Sequence, residues 1–327
     1  MRWKLCLWML LCVFCGSLLL AADGKPAYTN AADAGPDFSV QGEYLGNVGD
    51  HKWGVQVVAL GEGKFDIVGC RGGLPGEGWR RGDDTKPGKG ETKDGAVEVI
   101  GDTWTAKIKD GVMTIMHGDN KVGELKKIDR KSPTLGARPP EEAIVLFDGT
   151  SADQFDKGQI VDGNLLGATG CVSKQQFGDH SLHIEFRTPF MPESRGQARG
   201  NSGVYVQGRY EVQVLDSFGL EGADNECGGI YKQSKPIVNM CFPPLSWQTY
   251  DIDFTAAEYD TGKIDAGGKK TANARITVRH NGVVIHDNLE LTAGTPGHRP
   301  EGPGKLGLFL QNHGNPVAFR NIWVVEK

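Results

Sequence analysis

The residues of this 327-residue chain best suited to joint chemistry lie in two short runs, RYEVQVLDS and LGLFLQNHGNP. The first holds Glu211, Gln213 and Asp216 in an E-x-Q-x-x-D pattern. The second holds Gln311 and His313. Two carboxylates in one hydrogen-bond network can share acid and base work. Glycosidases use such a pair, with carboxyls roughly 5–5.5 Å apart when retaining and roughly 6.5–9.5 Å when inverting. A strand rises roughly 3.3 Å per residue, which sets Glu211 and Asp216 roughly 16 Å apart at Cα. A bulge at Leu215-Asp216 would re-aim Asp216 but close only part of that gap. His313 offers another base, because an imidazole with an ordinary pKa of roughly 6.5 suits proton transfer near neutrality. Its NHGNP setting reads as a strand-end loop, a common place for site residues.

Strands must carry these groups. In VYVQGRYEVQV, Val204 and Val206 point to a core, with Tyr205 and Gln207 opposite. Past the Gly208 turn, Tyr210, Val212 and Val214 are core, and Arg209, Glu211 and Gln213 share the other face. In LGLFLQNHG, Leu306, Leu308 and Leu310 are core, and Phe309, Gln311 and His313 lie opposite. Polar groups are thus expected on one face beside an aromatic platform of Phe309, Tyr205 and Trp247. A sugar has an apolar ring face and a rim of hydroxyls, so aromatic rings beside acids and amides suit it. In SLHIEFR, Leu182, Ile184 and Phe186 face one way, with His183, Glu185 and Arg187 opposite. His180 and His183 fall on opposite faces, which argues against a metal pair. Asp251 alternates with core residues and faces either the sugar or solvent, and Arg320 and Asn321 read as groups that tie the two sheets together.

Around these strands the chain divides in two. Arg2 and Lys4, the apolar run Leu5–Leu20 and Ala21-Ala22 have the order of a secretory signal peptide, expected over residues 1–22. Export to the periplasm or beyond follows, with no membrane span after cleavage. Residues 23–40 read as a flexible segment. Residues 41–130 read as a small antiparallel β domain, with Trp53, Val55, Val57 and Ala59 on one face, and with residues 69–95 as a long exposed loop. Residues 131–142 read as a proline-rich linker. Residues 143–327 contain many strands and no long helical stretch, and Asn281-Gly282 marks a hairpin. That pattern fits an all-β, two-sheet sandwich. The 47 glycines supply its turns. A net charge of −5 leaves no footprint for nucleic acid. Of the cysteines beyond the leader, Cys70, Cys171, Cys227 and Cys241, the pair Cys227–Cys241 is best placed for a disulfide, with free buried thiols the alternative.

Several separated motifs resemble one family. GNSGVYVQGRYEVQVLDSFG, GGIYKQSKP, PPLSWQTYDIDFTA, ARITVRHNGVVIHDNLEL and LGLFLQNHGNPVAFRNIWV look like the 3-keto-disaccharide hydrolase domain family. The resemblance covers roughly residues 143–327 and implies a concanavalin A-like jelly-roll sandwich. It implies a carbohydrate substrate whose 3-hydroxyl a partner sugar 3-dehydrogenase has oxidised to a ketone. The E-V-Q-V-L-D stretch is also similar to the E-x-D-x-x-E signature of laminarinase-like glycosidases. Here Gln213 replaces the middle acid and Asp216 the last, which weighs against double displacement. The ketone acidifies the hydrogen at C2, so a base can remove it, the C1 substituent can leave, and water can add back. His313 or Glu211 is then the base and Asp216 or Tyr231 the acid. Arg209, Gln213 and Gln311 hold hydroxyls or the enolate, and Asn201 is a turn residue or a sugar contact. No cofactor is assigned, and a divalent metal could supply the enolate stabilisation instead. A divalent metal, with calcium in a structural role, is implied by analogy of fold alone. The same face would serve a non-catalytic lectin-like module, and the first domain would serve an envelope interaction protein.

Overall fold

The computed structural model describes residues 19–20, 23–262 and 268–327. Apart from Leu19–Leu20, the expected signal peptide lies outside the described residues. Among them, no helix is long and apolar enough to cross a membrane.

The first domain is a closed antiparallel barrel. Its strands are β1 (Gly42–Val48), β2 (His51–Gly61), β3 (Lys64–Arg71), β4 (Thr85–Lys93), β5 (Ala96–Gly101), β6 (Thr105–Lys109), β7 (Val112–His117) and β8 (Asn120–Ile128). Each pairs with the next, and β8 closes on β1. Alternation fills the interior with Tyr44, Val55, Val57, Ala59, Phe65, Ile67, Ile108, Met113, Ile115 and Leu125. Three tight turns at one end, Glu62-Gly63, Asp94-Gly95 and Asp110-Gly111, have positive φ at both residues. That backbone matches the twist of a hairpin.

The expected loop over residues 69–95 is largely absent. Arg71 ends β3, and β4 already begins at Thr85. Three of the glycines that suggested a loop, Gly69, Gly88 and Gly90, are buried strand positions with close neighbours. A Cβ at Gly88 would lie 3.0 Å from the Trp104 ring, and one at Gly90 would lie 2.9 Å from Val97. Residues 23–40 also depart from expectation. They include α1 (Gly35–Val40), which has Pro36 in its first turn and packs Phe38 and Val40 against the barrel core. Phe38 meets Phe190 of the second domain edge-on at 5.3 Å.

The second domain is a sandwich. Its smaller sheet has the order β10 (Phe155–Asp156), β13 (Cys171–Phe177), β20 (Leu306–Leu310), β15 (Ser202–Val206), β16 (Tyr210–Val214). Its larger sheet runs β11 (Ile160–Val161), β12 (Leu165–Gly167), β21 (Ala318–Glu326), β14 (His180–Arg187), β17 (Gln248–Thr255), β18 (Ala274–His280), β19 (Val283–Leu291), with β9 (Ile144–Phe147) also on β21. The all-β reading and the expected sandwich hold. Val204, Val206, Tyr210, Val212, Val214, Leu308 and Leu310 from one sheet meet Leu182, Ile184, Phe186, Tyr250, Ile252 and Phe254 from the other. Asn281 and Gly282 form the tight turn between β18 and β19, both with positive φ.

The supposed linker is strapped to the outer face of the larger sheet. Ser132 and Thr134 hydroxyls meet the Thr249 hydroxyl at 2.6 and 3.0 Å, and Thr134 donates to Asp251 at 2.6 Å. The Gly136 amide donates to Glu185. Beneath it, His183 meets Asp251 at 2.6 Å and stacks on Trp323. Arg320 and Asn321 both donate to Glu185, and Asn321 also to the Ala137 carbonyl. Asn321 therefore ties the strap to the sheet, and Arg320 binds β21 to β14 within it, rather than one sheet to the other. Asp251 faces neither sugar nor open solvent.

Contacts between the domains are specific. Arg130 forks onto Glu43, donates to Pro75 and lies 5.0 Å above the Phe242 ring. Arg81 donates to the carbonyls of Gly222, Pro236 and Ile237. All four described cysteines are free and buried, so the expected Cys227–Cys241 disulfide is not formed. Each of that pair has other partners: Cys227 meets the Tyr250 hydroxyl at 3.2 Å, and Cys241 the Leu215 and Phe242 carbonyls at 3.5 Å.

Candidate active site

The site grows from the register of β15 on β16. Tyr205 lies opposite Glu211, and Gly203 opposite Gln213. The core sides of these strands are apolar, so Tyr205, Glu211 and Gln213 are left on the other side of the smaller sheet. Glu211 leans across Gly203. A Cβ there would sit 2.2 Å from Glu211 Oε1, so glycine's missing side chain makes the space the carboxylate occupies.

Glu211 is 1% exposed. Its Oε2 accepts a hydrogen bond from the Tyr205 hydroxyl at 2.8 Å. Its amide donates to Thr295 Oγ1, and its carbonyl accepts from the Tyr231 amide. Burial pushes the carboxyl up from its ordinary 4.5 to about 7, with the Tyr205 bond pulling weakly the other way. A carboxylate so tuned can take a proton at neutral pH and give it back. Burial, helped by the neighbouring negative Glu211, in turn raises the Tyr205 phenol far above its usual range, so it stays a hydrogen-bond donor.

Amides surround this pair. Gln311 Nε2 donates to the Tyr205 hydroxyl at 3.2 Å, and the Gln311 backbone amide donates to the Gly203 carbonyl. Asn201 Nδ2 and Gln213 Nε2 both donate to Gln197 Oε1, at 3.1 and 3.3 Å. The side-chain oxygens of Asn201, Gln213 and Gln311 are buried without a hydrogen-bond partner. A buried acceptor left unmade costs about 1–3 kcal/mol, so each of these three oxygens keeps acceptor capacity that a donor could take up. Sugar hydroxyls are such donors.

Among the other expected residues, His313 is exposed, on a turn whose ends are tied to this patch. Gln311 reaches Tyr205, and Asn315 Oδ1 accepts from the Asn201 amide at 2.8 Å. His313 therefore stands at the rim. Tyr231 is bonded to Glu211 through its own amide, and its ring lies near the Lys232 ammonium at 5.4 Å.

Four expected residues serve differently. Asp216 lies beyond the end of β16, 3% exposed, and accepts from Arg199 Nε at 2.6 Å. Arg199 also donates to the Ala59 carbonyl of the barrel, so Asp216 belongs to a buried ion pair of the sandwich that reaches the barrel through Arg199, and not to an acid–base couple. Arg209 spends its donors on Gln207 and the carbonyls of Pro300, Pro303 and Gly304. It fixes the loop between β19 and β20 rather than a sugar. That loop also covers the expected platform. His298 stacks on Phe309 at 3.8 Å, which leaves Phe309 9% exposed, and Tyr205 is buried. Trp247 lies on the outer face of the larger sheet, under the Arg320 and Arg187 guanidiniums at 3.9 and 5.1 Å, across the sandwich from Glu211.

Sequence reasoning missed Gln197, which sits on a single 3-10 turn (Gly196–Ala198), and Thr295 and His298, which sit on the β19–β20 loop. No local pattern marks them. Among the described residues no three His, Cys, Asp or Glu side chains cluster to hold a metal ion.

A family model described as the 3-keto-alpha-glucoside-1,2-lyase-like domain matches residues 142–325. The chain belongs to that family. The matched span is the sandwich and includes every residue of the Glu211 patch, while the barrel lies outside it. A crystal structure from Parabacteroides distasonis ATCC 8503, described as a candidate glycosyl hydrolase, is 33% identical with a TM-score of 0.51, covering 57% of this chain and 85% of that one. A second structure from the same organism, described in the same words, is 17% identical with a TM-score of 0.41, covering 57% and 94%. No curated protein matches the chain. A glycoside-related function for the family domain follows.

Proposed function

We propose that the chain is an exported enzyme that cleaves 3-keto-glycosides by elimination and rehydration, with Glu211 as the base. The observation that carries this is a carboxylate buried to a pKa of about 7 amid unpaired amide oxygens. Glu211 removes the C2 proton, and the electron pair passes into the ketone to give an enolate. The enolate reforms the ketone and expels the C1 oxygen, leaving a double bond between C1 and C2. The leaving oxygen takes a proton from His313 or Tyr231, the two groups at the edge of the patch without a competing ion pair. Water then adds its hydroxyl at C1 and gives its proton back to the group that protonated the leaving oxygen, and the proton held by Glu211 returns to C2. The sum is hydrolysis, with no oxidant consumed.

Gln213, Asn201 and Gln311 would accept hydrogen bonds from ring hydroxyls, recovering the cost of their unmade bonds. A single base suffices, which agrees with a site where Asp216 is paired to Arg199. The keto substrate requires a sugar 3-dehydrogenase upstream, acting in the same periplasmic or extracellular space.

The test incubates the mature protein with a 3-keto-disaccharide and with its unoxidised parent, following free sugar release. Cleavage of the keto compound alone, lost in Glu211→Gln, is expected. Binding without cleavage of either would overturn the enzymatic reading and favour a lectin-like module.

A further inference from the structure

The barrel has two unlike ends. At the end with the Glu62-Gly63, Asp94-Gly95 and Asp110-Gly111 turns, α1 packs over the opening and leaves a cavity of about 500 Å³ lined in part by Asp37, Asp110, Glu62 and Lys109. There Asp37 accepts from the Gly63 amide, Lys127 donates to the Ser39 carbonyl, and Phe38 and Val40 join the core. The opposite end is open and leads into a cavity of about 400 Å³. Its floor is Val55, Ile115 and Leu125, and its walls include Trp53, Trp104 and Val122.

Glycines hold the indoles back against the wall. A Cβ at Gly101 would fall 2.2 Å from the Trp104 ring, one at Gly88 3.0 Å from it, and one at Gly69 3.6 Å from Trp53. The Trp104 side of the cavity therefore depends on Gly88 and Gly101 carrying no side chain, while Gly69 leaves only ordinary contact distance to Trp53. An eight-stranded barrel is just wide enough either to fill with side chains or to hold one small ligand. This volume lies within the range of small-molecule sites. Its only charge-bearing lining residues are Lys86 and His117 near the mouth, and no carboxylate lines it.

We propose that the open end of the barrel binds a small amphiphile with an apolar body and an anionic head, of the medium-chain carboxylate class. The apolar body fills the space between Trp53 and Trp104, and the carboxylate lies at the mouth beside Lys86. The site is separate from Glu211 and does not depend on the reading of that patch.

The full mature chain is titrated with decanoate and, separately, with decanol, followed by tryptophan fluorescence and calorimetry. One decanoate per chain is expected. Val122→Trp, which fills the cavity from its rim, should weaken binding at least ten-fold, and Val48→Trp serves from the neighbouring strand if the first variant fails to fold. Lys86→Glu, at an exposed position, should weaken decanoate several-fold and leave decanol unchanged. The proposal is overturned by no saturable binding, by binding that survives both filling variants, or by equal effects of Lys86→Glu on acid and alcohol.

Discussion

Replacing Glu211 by Gln tests the site through stability as well as turnover. Burial lifts the carboxyl from 4.5 to about 7, while Tyr205 still donates to it. In the folded protein it therefore keeps its proton up to about pH 7, whereas the unfolded chain releases it near 4.5. Between those values the native state binds more protons, so stability falls as pH rises and levels off above about 7. A difference of about 2.5 in pKa corresponds to about 3 kcal/mol. Glutamine keeps an acceptor for Tyr205 and never ionises. Relative to the wild type, Glu211→Gln should be about 3 kcal/mol more stable at pH 8 than it is at pH 4, by urea unfolding at both. The same change should cost about 10²–10⁴-fold in kcat/KM on a 3-keto-glycoside. The wild-type kcat/KM should rise through about pH 7 as the free enzyme's carboxyl deprotonates. A stability difference that does not vary with pH, or a variant with wild-type kcat/KM, refutes the reasoning.

Asp216→Asn leaves Arg199 without its charge partner in a buried setting, and should lower unfolding free energy by about 3–5 kcal/mol. Turnover per folded molecule should change less than three-fold at a permissive temperature, because Asp216 is not the acid. Gly203→Ala puts a methyl group where Glu211 Oε1 now sits, so kcat should fall at least ten-fold, with the pH break displaced in a rate profile. Glu185 gives an opposite acid signature. Burial acts to raise its carboxyl, but hydrogen bonds from His183, Asn321, the Gly136 amide and Arg320 outweigh that and hold it at about 2. Its stabilising contribution is complete above about 4.5 and is lost as pH falls towards 2, so Glu185→Gln should flatten the acid limb of thermal unfolding between those values.

Period-two alternation made the core sides of β14, β15, β16 and β20 legible, since a buried side must be apolar whatever it packs against. It located Glu211, Gln213 and Gln311 on the outer side of one sheet for the same reason. Other expectations failed where distant chain decides the outcome. The glycines of residues 69–95 read as loop because local composition cannot show Trp104 and Val97 filling the space above Gly88 and Gly90. Trp247 shares a motif with β17, but strand parity sends it to the outer face of the larger sheet, under Arg320. Asp216 finds Arg199 only because the chain turns off β16 at Leu215, and Arg199 in turn reaches the barrel at Ala59. A buried ion pair that also bonds a carbonyl of another domain has no local sequence pattern.

The same distance effect shapes the chemistry. Taken alone, the Tyr205–Glu211 side of the sheet would be an open polar surface with an ordinary carboxylate. The loop between β19 and β20 alters it: Thr295 caps the Glu211 amide, Pro296 accepts from Tyr205, and His298 covers Phe309. Arg209 fixes that loop through three of its carbonyls. Arg209 thus bears on Glu211 without touching it, by keeping in place the segment that excludes water. Its substitution should therefore act chiefly through the carboxyl's pKa. Arg209→Met should move the break in kcat/KM below about 7 as water reaches Glu211, and leave the pH-independent plateau less affected than Glu211→Gln does. A fall in the plateau with the break unmoved would instead place the guanidinium on the substrate.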